Sequence, residues 1–464
     1  MARTEQFEKL RPVGGLEQYA TARHHLRFFY NAGVTATYTL PSTYALPAKD
    51  YIYKACATLI AHHPILSAIP VGEETKEPYF ARLPQIDLTG AVSFHQRAVG
   101  FPEAEDAQDD DLEALLKAQH NRAFEPPLPY WRLCVLVDEN ERRFTAAFVF
   151  HHAVSDGESG KAFHRTFLRA LQGLEALGAG EVLGIVKPPE MPLLPSLEQA
   201  HPLPLSWWFV ATTLFKVKVW SPARNPGLWT GGVIASSLET DLRHFAVSRA
   251  SSTALRDACR ENGTTVTGAL QTVVARALFK NLPETCTQLN CSGAMSTRRW
   301  HLGVITEDSI GDWVNGYGDT HDRANLAGPS FPWEEARRAR ETTEGVLNLQ
   351  GTNMTPALLK YVDDFKEELF LSKVGSERDS SFEVSNIGAV GLKEAPDSST
   401  PQMGRMVFSQ SANVTGSAVV VSSVTGADGC LVVTFVWQKG IVDEDLMSSL
   451  VPAVKAELLS LCAK

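Results

Sequence analysis

The spacing of apolar residues changes several times along the chain, and each change marks a predicted helix or strand. Apolar residues recur every three to four positions in predicted helices, whereas short apolar runs or two-residue alternation mark strands. The predicted helices are 15–28, 48–62, a segment through Leu112 and Leu116, a segment from Gly157, 250–260, a segment from Thr265 or Thr267, 333–349, 356–371 and 443–461. The predicted strands are 34–40, 65–70, 92–99, 130–137, 144–150, 242–247, 286–295, 382–390, 406–412, 414–424 and 430–437.

Helices and strands are mixed in both halves of the chain, which predicts an α/β (α+β) fold. Six prolines lie between Ile185 and Trp207 and predict a stiff, extended connection. A chain of 464 residues also exceeds the usual size of one compact domain. We therefore predict an N-terminal unit of residues 1–185, a proline-rich crossover of residues 186–240 and a C-terminal unit of residues 241–464.

An apolar, aromatic segment lies inside the crossover, from Pro204 to Phe215. Lys216 and Lys218 interrupt it before it reaches the roughly 20 apolar residues that a membrane-spanning helix needs. We predict a helix buried between the two units, and contact with a lipid surface is the alternative interpretation.

Charge and cysteine content narrow the class of protein. The formal net charge of -10 and the pI near 5.8 argue against a nucleic-acid partner. The seven cysteines are scattered singly without a CxxC pair, so we predict neither a disulfide framework nor a metal site. The first fifteen residues lack the apolar core of a secretory signal peptide, and we expect a cytoplasmic protein.

The corner after the predicted strand 144–150 is the most informative stretch of the sequence. Both faces of that strand are apolar, so it should lie in the middle of a covered sheet. His151 and His152 follow it directly, and an imidazole can take and return a proton near neutral pH. Asp156 can cap the next helix or pair with an arginine, and Gly157 permits a close turn. The chain contains no G-x-S-x-G, which argues against a serine hydrolase.

The residues from His151 to Gly157 read H-H-x-x-x-D-G after an apolar strand. This pattern resembles the signature of the chloramphenicol acetyltransferase-like superfamily, which includes the BAHD acyltransferases, the polyketide-associated acyltransferases and the condensation domains of non-ribosomal peptide synthetases. Within it, the chain is most similar to the fungal alcohol acetyltransferases. The similarity rests on the stretches 11–19, 23–24, 34–38, 63–67, 129–133, 296–299, 385–388 and 408–411, and so spans nearly the whole chain.

The resemblance implies two chloramphenicol acetyltransferase-like domains, each a mixed sheet with flanking helices, with an active-site tunnel between them. It implies that His152 is the general base for an acceptor hydroxyl and that Asp156 orders the loop through an ion pair. It also implies that Gly157, which has no side chain, leaves room for the close turn. The implied co-substrate is acetyl-CoA or another acyl-CoA, and the acceptor is a small-molecule alcohol, either volatile or a fungal secondary metabolite. We expect no permanently bound cofactor, and a monomer.

Further residues receive roles from the same resemblance. We assign substrate binding to His151, Ser385, Asn386 and Gln410, the last three as candidate donors to an oxyanion or simply as polar residues between strands. Arg298 matches a recurring structural arginine of the superfamily. Gly311-Asp312-Trp313 resembles a Gly-Asn-aromatic element in which asparagine is commoner at position 312.

The sequence leaves alternative functions open. The Asp-Phe-Gly-Trp-Gly motif of plant BAHD enzymes is absent from the sequence, which argues against that branch. One alternative is a condensation-like enzyme that uses a carrier-protein thioester, or a different reaction in the same tunnel. The other is a non-catalytic binding protein of the same fold.

Overall fold

A computed structural model describes residues 6–178, 180, 184–218, 223–301, 303–391 and 399–462, apart from the side chains of residues 214 and 216–218, so that Lys216 and Lys218 lie outside the described side chains. The strands are β1 (Glu8–Pro12), β2 (Ala32–Thr39), β3 (Ala68–Val71), β4 (Tyr79–Arg82), β5 (Ile86–Asp87), β6 (Val92–Gln96), β7 (Trp131–Val137), β8 (Arg143–Phe150), β9 (Ile185–Val186), β10 (Thr240–Val247), β11 (Gln288–Ser296), β12 (Val314–Asp322), β13 (Phe382–Ala389), β14 (Gln402–Gln410), β15 (Val419–Thr425) and β16 (Leu431–Gln438). The helices are α1 (Gly15–His25), α2 (Ala48–His62), α3 (Leu88–Ala91), α4 (Asp110–His120), α5 (Gly157–Gln172), α6 (Leu197–Ala200), α7 (Trp207–Lys218), α8 (Arg249–Glu261), α9 (Val266–Asn281), α10 (Arg323–Leu326), α11 (Trp333–Asn348), α12 (Phe365–Leu369) and α13 (Glu444–Ser460).

The first large sheet has the strand order β14-β2-β8-β7-β6. β8 lies in its interior, antiparallel to both β2 and β7, and its residues from Phe144 to Phe150 are buried, which confirms the predicted hairpin and the predicted central strand. Helix α5 covers one face of this sheet, where Phe163 stacks on Phe148 with ring centroids 3.8 Å apart. The histidine corner therefore emerges from a rigid, fully packed strand.

The second large sheet has the strand order β10-β16-β15-β13-β11-β12. Helix α9, which is buried along most of its length, packs in the apolar core beside this sheet. The predicted hairpin around residues 426–429 is confirmed, because β15 and β16 pair in antiparallel register. The sequence pattern missed β12, whose glycines at 316 and 318 and polar residues weaken the strand signal.

One strand crosses between the two halves of the chain. β14 belongs to the C-terminal half by sequence, yet it pairs with β2 in the N-terminal sheet, from Gln402 opposite Thr39 to Gln410 opposite Ala32. The division into units at residues 186–240 stays a prediction, and any such units share this strand.

Several predicted elements are wrong in detail. The predicted strand 65–70 begins as a 3₁₀ turn, Pro64–Ser67, because the proline fixes a helical φ, and only then becomes β3. The predicted helix 356–371 is broken into the 3₁₀ turn Thr355–Tyr361, α12 and a second 3₁₀ turn. The predicted strand 414–424 starts only at Val419.

The exposure of helix α7 shows that the predicted burial of this helix between the units is wrong. Trp207 is 77% exposed, Trp208 is 65% exposed and Phe215 is 52% exposed. Apolar composition alone could not show that this helix packs against so little of the protein. Among the described residues, no helix is both long enough and apolar enough to cross a membrane. Contact of α7 with a lipid surface stays a prediction.

Candidate active site

The histidine corner is built where β8 ends and α5 begins. The amide of His151 donates to the carbonyl of Tyr130 at 2.9 Å, which closes the strand pairing. Asp156 then accepts a hydrogen bond from the amide of Ser159 at 2.8 Å and so caps α5. The cap fixes the start of the helix, and the chain between strand and helix is a tight turn that displays His152.

Asp156 also forms a buried ion pair with Arg298, so both interpretations of this carboxylate hold at once. The guanidinium donates to Oδ2 at 2.8 Å and to Oδ1 at 2.9 Å, and Arg298 reaches the hydroxyl of Ser159 at 2.7 Å. Burial alone would raise the pKa of Asp156, but Arg298 and the donated hydrogen bonds lower it below its usual value. The carboxylate is therefore a charged, saturated anchor and is not free to take a proton from substrate.

The same anchor holds the segment 311–313 against the corner. The amide of Asp156 donates to the carbonyl of Gly311 at 3.1 Å, and the amide of Trp313 donates back to Asp156 Oδ2 at 3.1 Å. Between these two attached residues lies Asp312, whose Oδ2 is 3.3 Å from Nδ1 of His152. Burial raises the pKa of Asp312, while His152 lowers it. The buried network thus presents a carboxyl group to one ring nitrogen of His152.

His152 lies in the wall of a cavity of about 400 Å³. Residues from both halves of the chain line it, and the polar or charged ones include Tyr19, Arg23, Asp312, Asn315, Glu383, Gln410 and Ser411. The side chain of His152 is 19% exposed, so its ring is held by protein and still open to the cavity. With Nδ1 facing Asp312, the other nitrogen, Nε2, has no hydrogen-bond partner among the described residues. This is the arrangement that a general base requires.

Gly157 is needed because the corner is closely packed. A Cβ atom at this position would lie 2.6 Å from Cγ2 of Ile387 and 3.2 Å from the ring of Phe408. Both neighbours belong to the C-terminal half, so this glycine allows the start of α5 to approach β13 and β14 closely.

The structure does not bring His151 to the cavity. Its ring is 1% exposed, and its Nε2 lies 3.2 Å from Glu73 Oε1, while His24 Nδ1 lies 2.9 Å from Glu73 Oε2. Amides donate to the remaining nitrogens, from Ala153 to His151 Nδ1 and from Phe124 to His24 Nε2. Each ring proton must then face Glu73, so neither histidine offers this carboxylate site a lone pair for a metal ion. We assign the cluster of His24, Glu73 and His151 as a clamp in which two buried rings hold one carboxyl group between them.

The other predicted substrate-binding residues lie in different places. Ser385 is 7% exposed, and the side-chain amide of Asn386 donates to the hydroxyl of Thr267 at 3.0 Å; neither belongs to the described wall of the cavity. Gln410 does line the cavity, and its Nε2 contacts Glu383 Oε1 at 3.3 Å and the Ser422 hydroxyl at 3.4 Å. Only Gln410 of these three therefore shares the cavity with His152.

Sequence reasoning assigned no role to two charged residues of the cavity wall. Arg23 lies on α1 and Glu383 on β13, 360 positions apart. Arg23 belongs to the predicted helix 15–28 and to the matched opening of the chain, and Glu383 lies two positions before Ser385. No spacing rule connects them, because only the fold brings the helix and the strand to one cavity.

Comparison with known proteins agrees with this geometry. A model of the alcohol acetyltransferase family matches residues 12–300. The chain is 35% identical over 453 residues to the probable alcohol acetyltransferase crmB of Aspergillus fumigatus, covering 94% of this chain and 96% of that protein. The chain belongs to the alcohol acetyltransferase family. The chain is also 23% identical to the probable alcohol acetyltransferase FCK4 of Fusarium pseudograminearum, over 97% of this chain and 95% of that protein.

Solved structures place the chain in the predicted fold class. The trichothecene 15-O-acetyltransferase TRI3 from Fusarium sporotrichioides superimposes with a TM-score of 0.71 at 12% identity, over 97% of this chain and 95% of that one. The first condensation domain of the CDA synthetase gives a TM-score of 0.64 at 14% identity, over 98% and 97% of the two chains. The α/β acyltransferase fold and the membership in an acyltransferase family are therefore confirmed.

Proposed function

We propose that this enzyme transfers an acetyl group from acetyl-CoA to a hydroxyl group of a small-molecule alcohol, with His152 as the general base. The observation that supports the proposal most is the geometry of one ring. His152 has Nδ1 3.3 Å from Asp312 and opens Nε2 to a cavity between the two halves of the chain.

Each step of the reaction uses an atom of this arrangement. His152 Nε2 takes the proton of the acceptor hydroxyl as its oxygen attacks the thioester carbonyl carbon, and Asp312 stabilises the imidazolium that forms. The tetrahedral intermediate then collapses, the carbon–sulfur bond breaks, and the imidazolium returns its proton to the departing CoA thiolate. No acyl-enzyme is formed. Gln410, in the same cavity wall, is our candidate donor to the oxyanion, and Asp156 and Arg298 are positioning residues.

The experiment is a thiol-release assay with free acetyl-CoA and a panel of alcohols, run on the wild type and on His152→Ala. General-base catalysis contributes about a hundredfold to ten-thousandfold in rate, so kcat should fall by at least about two orders of magnitude. His25→Ala, which removes an exposed histidine, is the matched control and should keep wild-type activity. Wild-type turnover by a folded His152→Ala would overturn the general-base role. Transfer only from an acetylated carrier protein would overturn the acetyl-CoA donor.

A further inference from the structure

Arg23 is a buried cation without a counterion in the described part of the chain. It is 7% exposed, and no carboxylate among the described residues lies within 4.0 Å of its guanidinium. Its Nε has no hydrogen-bond partner there, and the group is held by stacking, 3.9 Å above the ring of Phe29 and 5.1 Å from the ring of Tyr19. A buried guanidinium normally has hydrogen-bond acceptors, because leaving its donors unpaired is costly. The side chain lines the cavity of His152.

Glu383 supplies the opposite charge to the same cavity. Its side chain is partly exposed, and the one hydrogen bond to it among the described side chains comes from Gln410 at 3.3 Å. Burial raises the pKa of Glu383 above its usual value, and the hydrogen bond from Gln410 and the charge of Arg23 offset part of that rise, so the carboxyl group lies within the electrostatic reach of Arg23. Arg23 and Glu383 nevertheless form no direct ion pair. The wall thus offers a donor group and an acceptor group, each open to the cavity.

These two residues restrict what can bind beside His152. A guanidinium only donates hydrogen bonds and an ionised carboxylate only accepts them. A ligand group that satisfies both must accept from Arg23 and donate to Glu383, and the simplest such neutral group is a hydroxyl. A monofunctional aliphatic alcohol places its single hydroxyl at His152. Within the described part of the chain, it would leave Arg23 without an acceptor and Glu383 with only the hydrogen bond from Gln410.

We infer that Arg23 and Glu383 form a binding subsite for a second hydroxyl of the acceptor, so that the enzyme prefers diols and polyols to simple alcohols. The inference rests on the proposed acetyl transfer for its kinetic test, although the subsite itself can be tested by binding. A site built to hydrogen-bond a substrate group discriminates strongly against the analogue that lacks it.

The test compares 1-hexanol with 1,2-, 1,3- and 1,6-hexanediol as acceptors in the thiol-release assay. We expect kcat/KM for at least one diol to exceed that for 1-hexanol about tenfold or more, chiefly through KM. Arg23→Gln and Glu383→Gln should each reduce this diol preference to within about threefold of unity, and Arg23→Lys, which keeps the charge, should retain part of it. The exposed replacements Arg260→Gln and Glu334→Gln are the controls and should leave the preference unchanged.

Two outcomes would overturn the subsite: no diol that surpasses 1-hexanol in the wild type, or a preference that survives both charge-removing substitutions. Urea unfolding of each variant identifies those that are not folded, and if Arg23→Gln is one of them, Glu383→Gln alone serves as the charge-removing variant. Saturation-transfer NMR with His152→Ala separates this inference from the proposed function. That variant should bind the preferred diol over 1-hexanol without transferring acetyl to either, and equal binding of the two would contradict the subsite whatever the activity.

Discussion

The guanidinium of Arg298 donates hydrogen bonds to both carboxylate oxygens of Asp156, at 2.8 and 2.9 Å, and so connects the histidine corner to the C-terminal half of the chain. Because both charges are buried, removing one partner leaves the other charge without water or a counterion. The pair therefore determines both the stability of the fold and the placement of Asp312 beside His152.

We predict that Asp156→Asn or Arg298→Met lowers the free energy of unfolding by about 3–5 kcal/mol, because each leaves one buried group unpaired. Equilibrium unfolding in urea measures the change. The control is Arg256→Met, which removes an exposed pair with Asp257 at 3.6 Å and should cost at most about 1 kcal/mol. Equal, small losses in all three variants would show that the Asp156–Arg298 pair is not a structural anchor.

Gly157→Ala should destabilise the protein by about 1–3 kcal/mol, because its Cβ would overlap Cγ2 of Ile387. Gly345→Ala is the matched control, since Gly345 lies inside α11 with no atom within 4 Å of the added Cβ; it should be neutral or stabilising. Combining Gly157→Ala with Ile387→Ala should cost less than the sum of the two single changes. Simple additivity in thermal unfolding would contradict the predicted clash.

Asp312→Asn should keep activity within about tenfold of the wild type, whereas Asp312→Leu should lower kcat by about a hundredfold. An asparagine side chain can still accept the Nδ1 proton of His152, but leucine cannot. Steady-state kinetics of the two variants measure the difference. Equal activity in Asp312→Asn and Asp312→Leu would mean that Asp312 merely fills space.

The clamp of His24, Glu73 and His151 should make the fold sensitive to acid. Burial opposes ionisation of Glu73, but the two histidines lower its pKa to about 2 from 4.5, and burial lowers the pKa of His151 to about 4 from 6.5. As the pH falls, each of these two groups is therefore protonated in the unfolded chain at a higher pH than in the folded protein. Stability contributed by His151 is therefore lost as pH falls from about 6.5 to 4, and that contributed by Glu73 as pH falls from about 4.5 to 2.

Glu73→Gln tests this clamp against Glu74→Gln, which changes the exposed neighbouring residue. We expect Glu73→Gln to lower the free energy of unfolding at pH 7 by about 1–3 kcal/mol and to flatten its dependence on pH between about 2 and 4.5. Urea unfolding at pH 7 measures the first effect, and urea unfolding across the acid range measures the second. An unchanged pH dependence in Glu73→Gln would rule out the clamp.

The aromatic side chains of α7 should contribute little to the fold. Replacing Trp207 and Trp208 by serine should change the free energy of unfolding by no more than about 0.5 kcal/mol, because both are mostly exposed. If α7 contacts lipid, co-sedimentation with vesicles of phosphatidylcholine and phosphatidylserine should fall in this double variant. Wild-type protein that stays in the supernatant when the vesicles sediment would exclude the lipid contact.

The sequence predicts best where local chemistry decides the structure. The run from Phe144 to Phe150 is apolar on both faces, and this pattern alone predicts a strand in the middle of a covered sheet. The alternative roles of Asp156 follow from its place before a helix, and the structure shows both. β12 and the exposure of α7 could not be predicted, because they depend on what the rest of the chain places beside them. The same holds for Arg23 and Glu383, which are brought together only by tertiary packing.

Strand β14 has a consequence for how substrates reach His152. β14 lies in the first sheet, paired with β2, whereas β13 before it and β15 after it lie in the second sheet. The chain therefore passes from one sheet to the other on both sides of β14. A wide separation of the two sheets would have to stretch both connections, so we expect ligands to reach His152 without such a separation.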